Sequence, residues 1–207
     1  MPFKALAKLG KKDVLKDVKG VQTREEVARI ALSVLKSRTC VRRYSPKDVS
    51  DEFVKELIIA AASAPSAGNH QPWEFIVVRD PELKEQIVDA ALGQTWMLEA
   101  PVFIVICINT RLAAATYGER GERLFGIQST AAAIENMLIA AEAFGLGSSW
   151  VGSFSEPRVS LLLQCPDYAR PCAIVTVGWP AERPKKPVRQ PFEEIAHLEK
   201  FDNKWKI

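Results

Sequence analysis

Apolar residues return at helical spacing behind Thr23. Val27, Ile30, Ala31, Val34 and Leu35 follow Thr23-Arg24-Glu25-Glu26, whose ends can cap each other reciprocally, so a helix is predicted from Thr23 to near Ser37. A second is predicted from Ser50, read as a side-chain cap with Val49 and Val54 as a hydrophobic staple, to about Ser63. The pattern then shortens to a strand over 75–78, and Asp80-Pro81 opens another helix with a cap and a first-turn proline. Seven consecutive apolar residues over 102–108 predict a buried strand. Residues 127–144 read as a long apolar helix ending at Gly145, with Ala131, Ile134, Leu138 and Ala141 on one face and Met137, Ala140 and Phe144 on a second. Such a helix is central or at a subunit contact. A helix over 155–163 and a strand over 173–177 follow, then a proline-rich basic stretch over 180–191 that should be extended.

Nothing in this pattern repeats, and no linker divides it. The simplest architecture is one mixed α/β or α+β domain over 23–207, preceded by a basic extension over 1–22 that carries six lysines against two aspartates. At 207 residues, 47% hydrophobic and 26% charged, the chain is an ordinary globular one. The 102–108 run is far below the ~20 residues of a membrane span, and the N-terminal stretch gathers no apolar leader core. The expectation is a cytoplasmic protein without a membrane partner. A net charge of +3 is too mild to imply nucleic acid. Four cysteines without a CxxC pair should be free thiols, and two histidines leave little from which to build a metal site.

Four stretches could carry chemistry. In Arg38-Thr39-Cys40-Val41-Arg42-Arg43-Tyr44, an extended chain would point Arg38, Cys40 and Arg42 the same way, able to clamp a phosphate or to stand solvated as a basic turn. The loop Ala64-Pro65-Ser66-Ala67-Gly68-Asn69-His70-Gln71-Pro72-Trp73 offers a hydroxyl, two amides and a flexible glycine to a flat heteroaromatic ligand, while Trp73 itself reads as a core plug and His70 as a solvated loop residue. Gly145-Leu146-Gly147-Ser148-Ser149-Trp150 imitates a dinucleotide motif but ends a helix instead of opening one. Gly145 is therefore a helix C-cap, and Gly152 a place where backbone can approach a ligand plane. Last, Arg183, Lys185, Lys186 and Arg189 form a stiff basic stretch that could complete a pocket for a dianion. No paired carboxylates and no nucleophile elbow stand out, so a cofactor should supply the chemistry of any enzyme here.

Arg38-Thr39-Cys40-Val41-Arg42-Arg43-Tyr44, the Pro65-Ser66-x-x-Asn69-x-Gln71-Pro72-Trp73 block, Gly145 through Gly152, and Gly178-Trp179-Pro180-Ala181-Glu182 together resemble, in order and spacing, the nitroreductase family of FMN flavoproteins. The resemblance covers about residues 23–200. It implies an α+β fold with a central, mostly antiparallel sheet flanked by helices, built as an intertwined homodimer with two FMN sites at its interface. By that likeness Arg38, Thr39, Cys40 and Arg42, joined by Arg189, would hold the FMN phosphate and ribityl chain. Pro65, Ser66, Ala67 and Asn69 would line the isoalloxazine, Gln94 would reach its pyrimidine edge, and backbone at Gly152 and Ser153 would approach N5. Cys40 stands where many relatives have serine, and Pro187 where the family often has lysine. The segment 109–126 would cover the flavin, with Arg111, Tyr117, Arg120 and Arg123 facing an acceptor.

The activity this implies is FMN-dependent NAD(P)H oxidation with two-electron reduction of a small nitroaromatic, quinone or similar acceptor by a ping-pong cycle through flavin N5. No side chain is assigned as a catalytic acid or base. Other FMN chemistry on the same scaffold, reductive dehalogenation or dehydrogenation, and FMN binding without turnover are the alternatives.

Overall fold

In the computed structural model, which describes residues 23–206, the chain runs through α1 (Arg24–Ser37), α2 (Asp51–Ala62), β1 (Trp73–Val78), α3 (Pro81–Ala90), β2 (Val102–Asn109), α4 (Thr110–Arg120), α5 (Gly126–Ala143), β3 (Gly147–Val151), α6 (Glu156–Leu162), β4 (Ala169–Gly178) and α7 (Phe192–Ile195). The extension expected over 1–22 lies outside the described residues.

The apolar run predicted as a strand is the middle of the molecule. All eight residues of β2 are buried, because helices cover both faces of its sheet. Neighbouring strands pair antiparallel in the order β1-β2-β4-β3. Alternation sends Val102, Ile104 and Ile106 to one face, against Val54, Leu57 and Ala61 of α2 and Ile134, Met137 and Leu138 of α5. Phe103, Val105 and Cys107 go to the other, against Ile87 and Val88 of α3, Met97, and Val159 of α6. Each large aliphatic side chain removed from water in this way contributes roughly 1.5–3 kcal/mol. This is the α+β architecture expected from the sequence, an antiparallel sheet flanked by helices.

The helix signals are realised at α1 and α3. Glu26 N donates to Thr23 Oγ1 at 3.2 Å and Thr23 N to Glu26 Oε2 at 3.0 Å, closing the capping box. Leu83 N donates to Asp80 Oδ1 at 2.8 Å. At α2 the expectation is corrected: the Ser50 hydroxyl makes no cap bond and bonds the Glu52 carboxylate instead, which holds that acid below its ordinary value. Val49 and Val54 are nonetheless both buried in one cluster, as a staple requires.

Two strands exceed their expected bounds. β1 begins at Trp73, not at 75, because the indole is buried in the core. β4 begins at Ala169 instead of 173. Ile106 faces Ala173 and Cys107 faces Pro171, which leaves Cys172 as a bulge, and Pro171 is tolerated because β3 pairs only from Ile174 onward. β3 itself, for which no strand was expected from the sequence, is one. Its Gly-Ser-Ser composition carries no apolar alternation, yet Ser148 and Ser149 are buried.

Residues 110–126 are helical apart from a break at Gly118. Asn109 caps α4 by accepting from Leu112 N at 3.1 Å, Gly118 interrupts the helix at φ 52°, and a wide turn over Gly121–Phe125 leads into α5. Within the run Thr110–Ala143 an 18-residue window reaches the mean hydropathy, 1.2, of a spanning helix. Burial of α5 between the sheet and α2 accounts for that apolarity. By contrast, α1 buries no residue, and Ile30, Leu32 and Leu35 stand exposed, as do Phe192, Ile195, Leu198, Phe201 and Trp205 near the C-terminal end.

Candidate functional site

Residues 38–44 leave α1 as an extended segment laid on the sheet edge. Val41 N donates to Ser148 O at 3.0 Å, and Cys40 bridges Ser148 of β3 in parallel. Val41 and Tyr44 are buried, and the Tyr44 hydroxyl donates to Val41 O at 2.6 Å and meets Thr176 Oγ1 at 2.8 Å. Burial, the largest influence on Tyr44, drives its pKa far up, so it is a neutral hydrogen-bonding pillar. With those side chains inward, Cys40 and Arg42 are left outward, as the alternation predicts. Gly147 permits this close approach, since a Cβ there would lie 2.8 Å from Val41 Cγ1.

The arginines differ in what holds them. Arg38 Nε lies 3.6 Å from Glu135 on α5, and Arg43 pairs with Glu99 at 3.1 Å. Arg42 has no carboxylate partner among the described residues, and its guanidinium lies 5.4 Å from the centre of the Trp96 ring. Trp96 belongs to a short turn, Thr95–Glu99, that begins after Gln94. Gln94 Nε2 donates to Ala91 O at 2.9 Å and to Ser153 O at 3.2 Å. Gln94 thereby ties the turn that holds Trp96, and with it Arg42, to the segment after β3. Beside them Gly152 faces open space, with no atom within 4 Å of where its Cβ would be.

The basic stretch after β4 returns to the same edge: Ala181 N donates to Arg43 O at 2.9 Å, and Ser45 N to Trp179 O at 2.8 Å. This pairing places Arg183 with Thr39 around a small cleft, together with Val41 and Glu142. Arg183, not Arg189, is the cation brought to Thr39. Arg189 lies exposed, with no hydrogen bond or ion pair to residues 38–42 among the described residues. Trp96 is the neighbour that the sequence did not single out for this end; Arg183 comes from the basic stretch named for it. The signal for Arg183 is Pro180, whose antiparallel bridge to Tyr44 fixes the register.

The second group sits elsewhere. Pro65, Ser66 and Ala67 border a separate cavity of about 370 Å³ with Phe125, Gln128, Ser129 and Ala132, and no residue of the cationic end lines it. Gly68, Asn69 and Gln71 all take positive φ, a coil that turns the chain sharply before β1. Ser66 Oγ accepts from Gln71 N at 2.9 Å, Ala67 N donates to Ser129 Oγ at 3.4 Å, and Asn69 is exposed. Trp73 is the core plug expected. His70 is not free: its Nε2 meets Thr116 Oγ1 of α4 at 2.7 Å, and its ring stands edge-on to Tyr117, which in turn packs on Phe125. Of the cover residues named from the sequence, Tyr117 and Arg120, over the Phe125 ring, lie at this loop. Arg111 stacks on Tyr168, and Arg123 pairs with Glu119.

Comparison with known proteins decides the family. The nitroreductase family model matches residues 35–96 and 90–179. The chain belongs to the nitroreductase family. It is similar to an NADH dehydrogenase of Thermus thermophilus, 34% identical over 185 residues, covering 76% of this chain and 90% of that one. It is also similar to an FMN reductase (NAD(P)H) of Bacillus subtilis, 32% identical over 186 residues and covering 82% and 75%. Among solved structures, B. megaterium NfrA2 superposes with a TM-score of 0.78 at 29% identity, covering 83% of this chain and 75% of that one. This nitroreductase-family chain is an oxidoreductase.

Proposed function

We propose that the protein is an FMN-dependent NAD(P)H oxidoreductase that reduces small nitroaromatic, quinone or similar acceptors, working in the cytoplasm as a homodimer. The observation that carries the reading is the Gln94 amide bonded to Ser153 O beside the open space at Gly152, with the Arg42 guanidinium near Trp96 of the same turn and Thr39 and Arg183 around one cleft. The donor set fits the cofactor. Unpaired guanidinium N–H groups suit a phosphate dianion, an amide suits a pyrimidine edge, and the space over Gly152 leaves room for a ring plane.

FMN, when bound, would supply the two-electron chemistry between a nicotinamide donor and the acceptor. The residues of the chain bind and orient. Arg38 and Arg42 would hold the phosphate with Thr39 and the Cys40 backbone, and Arg189 reaches the same dianion only if the stretch 184–191 bends toward it. Gln94 and the backbone at Gly152 and Ser153 would set the ring edge, in a preorganised frame that holds negative charge without moving. Pro65, Ser66, Ala67 and Asn69 would line the ring from a rigid loop, and the His70 to Thr116 link would hold the α4 segment over it. No side chain needs to act as acid or base.

Within one chain the two groups open on different cavities, which supports an assembly in which each copy completes the site of the other. The exposed apolar residues of α1 and of the C-terminal stretch are the surface for it. The test is addition of NADH or NADPH, without oxygen, to purified protein saturated with FMN. Bleaching of the flavin absorbance by either donor, and recovery on adding a quinone, is the expected result. Flavin that stays bound and oxidised under both donors favours a binder without turnover.

A further inference from the structure

The sheet face opposite α5 carries a cleft that the residues above do not use. It measures about 250 Å³ and is bordered by Glu74, Ile76, Cys107, Gln164, Cys165 and Tyr168. Cys107 is fully buried on β2, and Cys165 is half-buried on the turn that follows α6. That turn is pinned: Cys165 N donates to Ser160 O at 2.9 Å, Ala169 N donates to Pro166 O at 2.8 Å, and Gln164 between them takes a φ of 52°. The two thiols, both free, line this cleft together and pack in one cluster, so a central strand and a fixed turn bring two sulfurs to the same space.

We propose that Cys165 and Cys107 are a peroxide-reactive thiol pair that closes into an intramolecular disulfide. Cys165, the thiol reachable from the cleft, attacks one oxygen of a hydroperoxide as its thiolate. The O–O bond breaks, the sulfur becomes a sulfenic acid, and the leaving oxygen takes a proton to depart as water or an alcohol. Cys107 Sγ then attacks that sulfur and gives up its proton; the S–S bond forms, the S–O bond breaks, and water leaves. Two thiols lose two electrons and two protons, and one hydrogen peroxide becomes two waters.

The order follows from the surroundings. Burial, the largest influence, pushes the Cys107 thiol up, so Cys107 stays protonated and Cys165, reachable from the cleft, reacts first. The same burial brakes the attack of Cys107 on the oxidised Cys165. The resolving step is therefore slow, and the sulfenic acid lives long enough to be trapped. Cys172 is a spectator on the opposite face, where it donates to Ile106 O at 3.3 Å, whereas Cys40 is exposed and would react on its own account. The inference stands apart from the flavin reading.

The test treats the full chain, as wild type and as the Cys40→Ser/Cys172→Ser variant, with hydrogen peroxide and maps peptides without reduction. The expected result in both is a peptide pair linked through Cys107 and Cys165, reversed by dithiothreitol. A cyclic 1,3-dione added early should mark Cys165 and not Cys107. Closing a long loop should raise the thermal midpoint by about 5–10 °C. Oxidation of Cys165 to sulfinic acid while Cys107 still titrates as a thiol in denaturant would overturn the proposal, as would two unreacted thiols.

Discussion

The cationic end of the site and the loop at residues 65–71 are built by different means. At the cationic end the backbone does the fixing: residues 40–45 are stitched to β3 and to the stretch after β4 by main-chain hydrogen bonds, and Tyr44 plants the segment in the core. Cys40 and Arg42 are left outward, and Arg42 has no carboxylate partner among the described residues. The 65–71 loop is held by its own side chains, Ser66 to Gln71 and His70 to Thr116, and by rings that lean on a helix broken at Gly118. A stiff frame suits the proposed task of gripping an invariant phosphate. A frame set by single side-chain contacts suits the part that meets varied acceptors, because one substitution can reshape it without touching the sheet.

The difference can be broken from the stiff side first. Arg42→Ala removes a charge-assisted bond of about 1.5–3 kcal/mol and should weaken FMN binding roughly ten- to a hundredfold, with apo stability changed by no more than about 0.5 kcal/mol. Fluorescence titration of FMN and thermal melts of the apoprotein check both. Gly147→Ala acts on the frame itself. Its Cβ would press on the β-branched Val41, which cannot swing away, at a cost of about 1–3 kcal/mol. The melting midpoint should fall by about 2–10 °C and FMN affinity should fall with it, unlike the Arg42 case.

On the adjustable side the effects are smaller and of another kind. His70→Ala deletes the 2.7 Å contact with Thr116 and should shift the acceptor KM by about two- to tenfold while leaving FMN affinity unmoved. Steady-state kinetics beside the same titration separates the two. As a control remote from both ends, Glu156→Gln breaks the 2.8 Å pair with Arg170. The hydrogen bond from Arg170 holds the Glu156 carboxyl below its ordinary value, so its stabilisation is present above the unfolded carboxylate range, near pH ~4.3, and is lost as pH falls through the lowered folded value. Both groups are well exposed, so the loss at pH 7 should be only about 0.5 kcal/mol and should vanish in acid melts.

How far the sequence carried this account depends on whether the signal was local. Capping at Thr23 and Asp80 and the apolar 102–108 run are local, and each placed its element to within a residue or two. β3 was illegible because a short Gly-Ser strand is specified by its partners: Ser148 and Ser149 are buried by β4 and residues 40–41, not by their own hydropathy. The start of β4 was hidden behind Pro171, which only the bulge at Cys172 makes tolerable. The arginine motif announced the cationic end, yet the neighbour of Thr39 in the basic stretch, Arg183, is chosen by a register that begins at Pro180. Helix α1 shows the converse case. Its apolar spacing was visible, yet none of its residues is buried.

The most direct measurement of the central claim is a crystal structure of the protein grown with FMN. The account predicts the phosphate within hydrogen-bonding distance of Arg38 or Arg42, the ring edge at Gly152 and Ser153, and the Ser66 loop closing the ring from a second copy of the chain. FMN lodged elsewhere, or a phosphate with neither arginine beside it, would contradict it.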